Sequence, residues 1–200
     1  LPCETLNTPE WTFRQRGLFF NDEDLLVGFQ LEKPEHGFSQ EVWEALFECA
    51  LRNYCTCVIP GTNILSDEPQ IALASDMGLY IAQHHAEPVG SCPMLWPRAV
   101  PFSWSTSQEF MIDWWRRAIE RQAGSKVLWT LGFRGLADRP FWEDDPNLSS
   151  DAPLADKAQI INEALTVQRD LIHEIHGSNE DMYFYLWGEA GRLYRSGVLT

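Results

Sequence analysis

Four apolar runs in this sequence stop abruptly at groups that can move protons or grip an anion. Leu18-Phe19-Phe20 ends at Asn21-Asp22-Glu23-Asp24, and Tyr80-Ile81-Ala82 ends at Gln83-His84-His85. Val127 to Leu131 leads into Gly132-Phe133-Arg134-Gly135-Leu136-Ala137-Asp138, and Tyr183 to Trp187 into Gly188-Glu189. Cleaving a glycosidic bond takes two carboxyl groups, one to protonate the leaving oxygen and one to activate water or attack. Asp22, Glu23, Asp24, Asp138 and Glu189 are the candidates. The proton donor needs a raised pKa, and the run Tyr183-Phe184-Tyr185-Leu186-Trp187 offers Glu189 the apolar surroundings that raise it. Any one of these acids could equally be a helix cap or a surface group. Several converging on one rim are harder to explain that way.

Other chemistries fit less well. His84-His85-Ala86-Glu87 could ligate a metal, but adjacent residues on a strand face opposite ways, so both histidines reach one ion only if the strand ends there. Hydrogen bonding to a sugar or to a carboxylate substrate suits the pair better. His173-Glu174-Ile175-His176 has three-residue rather than four-residue histidine spacing, so it does not match a zinc-protease helix and reads as structural. Arg134 before Gly135 can aim a guanidinium into a cleft, where it would hold an anionic substrate through a bidentate contact or form an ion pair with a neighbouring acid. No phosphate-binding glycine loop, nucleophile elbow or dinucleotide fingerprint is present.

These groups need a scaffold that delivers strand ends to one side. Strand and helix signals alternate along the chain. Leu18 to Phe20 reads as a buried strand, followed by a helix capped by Ser39 with Val42, Trp43, Leu46, Phe47 and Ala50 at helical spacing. Tyr54 to Ile59 is a second strand, the segment from Asp67 to Ser75 a short helix with Glu68-Pro69 near its start, and Gly78 to Ala82 a third strand. Residues 86–104 hold four prolines and read as a long functional loop. Ser105 or Thr106 is expected to cap the next helix, Lys126 to Leu131 is a fourth strand, and a polar loop from Arg139 to Asp151 precedes a long helix. That helix carries the stripe Ala158, Ile161, Leu165, Leu171, Ile172 and Ile175, interrupted by Gln168. A fifth strand, Tyr183 to Trp187, and a helix from Glu189 to Ser196 follow. Five β/α units in order point to a parallel α/β sheet with right-handed crossovers. The long loops after strands favour a (β/α)8 TIM-type barrel over an open sheet, and five strands cannot close one, so the chain reads as a barrel truncated to about its first five units.

Bulk properties narrow the partners. The net charge of -14 argues against nucleic acid or an anionic membrane surface as the main partner, and no apolar run reaches the roughly 20 residues that span a bilayer. The start Leu1-Pro2-Cys3-Glu4 carries neither an initiator methionine nor a signal-peptide layout. Five cysteines show no metal-ligand spacing, and Cys55 and Cys57 are expected to be buried free thiols. Nine tryptophans and eleven phenylalanines exceed what a core this size usually needs, and aromatic faces commonly line sugar sites as well as fill cores.

The motifs RGLFFNDED, MGLYIAQHHAEP, LGFRGLADRPFW and WGEAGRLYRSG, in this order and at these separations, resemble glycoside hydrolase family 115, and more the fungal than the bacterial members. The resemblance covers nearly the whole chain from about Trp11. It implies an inverting xylan α-1,2-glucuronidase that releases glucuronic acid or its 4-O-methyl ether from glucuronoxylan or aldouronic acids. Residues 1–200 would be part of the catalytic barrel domain, lacking the preceding domain and the last barrel units. Asp22, Asp138 and Glu189 match the family's acids: Asp138 and Glu189 as acid and base in unassigned order, Asp22 holding the sugar or assisting. His84, His85 and Arg134 match positions suited to grip the uronate carboxylate, and Asn21, Glu23 and Trp142 stand in the same motifs as substrate-binding positions. A further family acid would fall beyond Thr200, and Trp187-Gly188 replaces the basic residue often found before the glutamate. No cofactor or metal is implied. An extracellular location and a homodimer of the full-length protein are compatible with the resemblance. A metal-dependent barrel hydrolase using His84 and His85, and a non-catalytic carbohydrate-binding member, stay open as alternatives.

Overall fold

The computed structural model describes residues 10–21, 26, 38–62 and 65–199. Among the described residues, short apolar segments form five parallel strands: β1 (Gly17–Phe19), β2 (Cys57–Ile59), β3 (Tyr80–Ile81), β4 (Trp129–Leu131) and β5 (Met182–Phe184). β1, β2 and β3 pair in sequence order, and β4 pairs with β5. A single parallel bridge, Ile81 to Val127, joins the two sheets, with Ile81 N donating to Lys126 O at 2.7 Å and Leu128 N to Ile81 O at 2.7 Å. Successive strands are therefore neighbours throughout. They curl around a hollow of about 470 Å³ lined by Leu18, Phe19, Cys57, Ala82, Leu128 and Tyr183, among others.

Five α-helices of the described residues lie along the same chain order: α1 (Gln40–Arg52), α2 (Pro69–Asp76), α3 (Trp104–Glu120), α4 (Leu154–His176) and α5 (Gly188–Arg195). Each buries one face of its own length. Trp43, Phe47 and Ala50 of α1 meet Ile71 and Ala74 of α2 and Val58 and Ile81 of the sheet in one cluster. Met111, Trp115 and Ile119 of α3 and Ile161, Ala164 and Ile172 of α4 pack around Trp129 and Phe133 in a second, larger one. Pro69 opens α2 at its first turn, where a missing N–H costs nothing.

The strands are shorter than the sequence pattern predicts. Tyr54 does not begin β2. It sits at φ +60 after α1, where Tyr54 N donates to Leu51 O and Cys55 N to Ala50 O, so the helix exit consumes the residues up to Cys55. β1 is exposed rather than buried, because it stands at the sheet edge with only β2 beside it among the described residues. The cap of α3 is Ser103, whose Oγ accepts from Thr106 N at 3.2 Å, while the Ser105 hydroxyl donates to Asp145 Oδ1 at 2.8 Å. The loop expected at 86–104 contains two short 3-10 turns, Pro88–Gly90 and Pro93–Leu95. Cys49, Cys55, Cys57 and Cys92 are free; Cys57 is buried and Cys55 partly so. His176 Nε2 lies 3.2 Å from Ile119 O and its ring 5.0 Å from that of Trp129, a packing role for the histidine pair's second member.

Candidate functional site

The polar residues that follow β3, β4 and β5 collect on one edge, and buried amides fix where they stand. Beyond β3 the backbones of residues 83 and 130 no longer pair by a regular ladder. Instead Gln83 Oε1 accepts from Thr130 N at 3.0 Å, and Thr130 Oγ1 both accepts from Gln83 N at 3.1 Å and donates to Gln83 O at 3.0 Å. Gln83 Nε2 then donates to Gln122 Oε1 at 2.8 Å, and Gln122 Nε2 to Val89 O at 3.0 Å. The polar interruption in the α4 stripe has the same purpose: fully buried Gln168 donates to Gly132 O at 2.7 Å and accepts from Gly132 N at 3.0 Å, pinning the chain where it leaves β4. Buried amides of this kind are satisfied on both ends, which makes the strand exits rigid.

From these exits the charged groups converge on Arg134. Its Nε lies 2.8 Å from Asp138 Oδ1, its Nη1 3.3 Å from Glu189 Oε2, and its Nη2 donates to the Asp138 backbone carbonyl. His85 Nε2 sits 3.0 Å from Asp138 Oδ1 and 3.1 Å from Oδ2. His84 lies beside His85 with ring centroids 3.8 Å apart and planes tilted by 47°, and Phe19 from β1 lies 5.3 Å from His84. Tyr185 and Trp187, from the β5 exit, approach His85 at 6.0 and 5.3 Å. Three separate strand exits, those of β3, β4 and β5, thus deliver one cluster, with Phe19 of β1 beside it. A recess of about 190 Å³ opens beside it, bounded by Thr62, His84, Met94, Ala137 and Asp138. A larger hollow of about 560 Å³ lies on the outer face of α3 and α4, where Trp104 donates to Glu163; none of the cluster lines it.

The two carboxylates have different surroundings. Glu189 lies in the first turn of α5, its side chain 2% exposed, and neither of its oxygens has a hydrogen-bond partner among the described residues. Burial pushes its carboxyl above the ordinary range, opposed by the Arg134 charge. Asp138 is 40% exposed and held by Arg134 and His85. Burial, reinforced by the neighbouring His85, holds His84 down to about 4, so its ring is neutral at physiological pH. Gly188 sits at φ +54, and a Cβ there would come within 2.5 Å of Arg134 Nη1: only glycine lets the guanidinium lie over the start of α5.

Of the predicted site residues, the fold brings together Asp138, Glu189, Arg134, His84 and His85. Asp22 and Glu23 lie outside the described residues, as does Asp24; Asn21, whose carbonyl accepts from Leu26 N at 3.2 Å, marks where that segment leaves β1. Trp142 belongs elsewhere: one face carries the Lys157 ammonium, 4.4 Å from the ring centroid, and the ring meets Phe141 at the margin of the larger core. Trp187 is the exposed aromatic beside the cluster, at 56%, and its place two residues before Glu189 was the available signal. Arg134 Nη2 hydrogen-bonds the Asp138 carbonyl, while Nε and Nη1 lie within ion-pair distance of Asp138 and Glu189 without hydrogen-bond geometry, so the guanidinium holds the carboxylates by charge. Among the described residues no group of three or more histidines, cysteines or acids is placed to hold a metal ion, and no helix is long and apolar enough to cross a membrane.

The sequence profile of Glycosyl hydrolase family 115 matches residues 8–200. No curated protein matches the chain. Among solved structures the fold is similar to that of a family GH115 4-O-methyl-α-glucuronidase with specificity for decorated arabinogalactans, at 18% identity and a TM-score of 0.73 over 93% of this chain. The chain corresponds to 26% of that protein's length.

Proposed function

Since the chain belongs to Glycosyl hydrolase family 115, we propose that it carries part of the active centre of an inverting xylan α-1,2-glucuronidase that releases (4-O-methyl)glucuronic acid from glucuronoxylan. The observation that carries this reading is the guanidinium of Arg134 between Asp138 and Glu189 at the strand exits. Glu189, kept protonated more readily by burial, is the general acid toward the glycosidic oxygen. Asp138, more exposed and oriented by His85 and Arg134, is the base that takes a proton from the attacking water. Water forms the new bond to the anomeric carbon as the bond to the xylan oxygen breaks. Inversion requires the two carboxyls to stand about 6.5–9.5 Å apart around that water. His84 and His85 present ring nitrogens near the same recess and suit the uronate carboxylate; Trp187 and Tyr185 offer aromatic faces for the sugar.

The sequential parallel strand order and the curl around a shared hollow support a (β/α)8 barrel of which these are the first five units. A secreted protein acting on plant glycan, with Asp22 joining the site, completes the reading. The solved relative's specificity favours a second substrate, glucuronate on decorated arabinogalactan. The test is to incubate the full-length protein with aldouronic acids and with decorated arabinogalactan and follow free uronate by proton NMR. Initial release of the β-anomer from aldouronic acids supports the proposal; release only from arabinogalactan moves the substrate; no release from either, with Glu189 intact, refutes it. Activity abolished by a chelator would favour a metal-dependent hydrolase instead.

A further inference from the structure

The residue that presents Asp138 to the site is not itself at the site. Ala137 and Asp138 are consecutive non-glycine residues in left-handed conformation, at φ +51 and +58, a backbone that L side chains rarely adopt and that persists only where its surroundings impose it. Asp144, its side chain 5% exposed, supplies that imposition. Its Oδ2 accepts from Leu136 N at 2.7 Å, on the near side of the strained pair, and its Oδ1 pairs with the Arg139 guanidinium on the far side. Gly135 N donates to Arg139 O at 2.8 Å and closes the same loop at its neck. A Cβ on Gly135 would collide with Asp144 Oδ2, so the glycine exists to let this carboxylate in.

We infer that Asp144 is a positioning residue for Asp138: it clamps residues 135–139 in the one conformation that sets the Asp138 carboxylate against Arg134 and His85. This rests on the acid–base reading of the site for its effect on turnover, and not for the clamp itself. Releasing the clamp lets the loop relax toward ordinary backbone angles and carries Asp138 out of register, while the burial of Glu189 and the Thr62, His84 and Met94 walls of the recess stay in place. The loss then falls on kcat rather than on KM. A displacement of about 1 Å at a catalytic group costs on the order of a hundredfold.

The experiment compares the full-length wild type with Asp144→Ala, which loses both contacts, and Asp144→Asn, whose amide oxygen can still accept from Leu136 N. Turnover on aldouronic acids and amide hydrogen exchange at Gly135 and Leu136 are measured together. The expected result is a kcat loss of ten- to a hundredfold in Asp144→Ala with KM within about threefold, a smaller loss in Asp144→Asn, and faster exchange at both amides in the same order. Unchanged kcat in a folded Asp144→Ala protein, or unchanged exchange, overturns the inference. If Asp144→Ala does not fold, Asp144→Asn and Arg139→Gln carry the comparison, and both must lose kcat for the inference to stand. A wild type without turnover would sink the functional reading alone, since the exchange measurement still decides whether Asp144 holds the loop.

Discussion

Replacing Glu189 with glutamine should cut turnover steeply while leaving the folded protein at least as stable at neutral pH. The ionised carboxylate gains from Arg134: two unit charges 3.3 Å apart attract by about 5 kcal/mol at an effective dielectric constant of ~20. Against this stands the penalty of removing a carboxylate from water, several kcal/mol even in a relaxed protein. Neither Glu189 oxygen recovers a hydrogen bond among the described residues, and the carboxyl titrates above its ordinary value of 4.5, so desolvation wins. Because the folded state holds this proton more tightly than the unfolded state, the stabilising contribution is fully present below about 4.5 and is lost as pH rises through the raised folded value. Glutamine removes that decline. Thermal unfolding from pH 4 to 8 should show a wild-type stability that falls across this window and a Glu189→Gln curve that does not, with a gain on the order of 1 kcal/mol at pH 7 from the difference between the two opposing effects. Activity on aldouronic acids should drop by roughly 10²–10⁴ through loss of the acid. If Glu189→Gln is instead less stable at pH 7 and keeps the wild-type pH slope, the ion pair outweighs burial and the assignment of Glu189 as proton donor fails.

Three further outcomes follow from the same geometry. Arg134→Leu removes the charge that opposes burial at Glu189, so that carboxyl holds its proton to higher pH; a loss of about 1–3 kcal/mol by denaturant unfolding at pH 7 is expected, with lysine a poor substitute because it cannot reach both acids from one planar group. Gln168→Leu keeps the side-chain volume but leaves the buried Gly132 N–H and C=O unpaired; a loss of about 2–5 kcal/mol in chemical unfolding is expected, and a loss under about 1 kcal/mol would show that Gly132 finds other partners. His84, held down to about 4 from an ordinary 6.5, contributes stability that is present above 6.5 and lost as pH falls toward 4; its ring should show no protonation by NMR between pH 5.5 and 8, and His84→Gln should flatten the acid limb of the stability curve.

The alternation of elements was legible because it rests on local pattern: apolar runs for strands, a 3.6-residue stripe for α1 and α4, a proline at the first turn of α2. Boundaries were less so. The second strand starts at Cys57 and not Tyr54 because the exit of α1 takes the intervening residues into a turn, and the α3 cap is Ser103 because the Ser105 hydroxyl is engaged by Asp145 across the loop. The sequence reading set His84, His85, Arg134, Asp138 and Glu189 just past strand ends, and the structure gathers them into one cluster. Trp142 stood in a promising motif yet packs under Lys157, since a motif does not say which way a ring turns. The supports were not visible at all: Gln83 with Gln122, Gln168 with Gly132 and Asp144 with Leu136 join residues far apart in sequence or across a strained loop.

By itself the sequence determined which groups arrive at strand ends, their acidic excess, and an arrangement of repeated β/α units, because each of these depends on residue type and near-neighbour spacing. Tertiary structure alone decided that one arginine lies between Asp138 and Glu189, that Glu189 is sealed from water while Asp138 stays open, and that Gly188 must lack a side chain. The physical reason is that charge pairing and desolvation depend on distances across the curled sheet. Those distances are set by strand register and helix packing, which no local stretch of residues encodes.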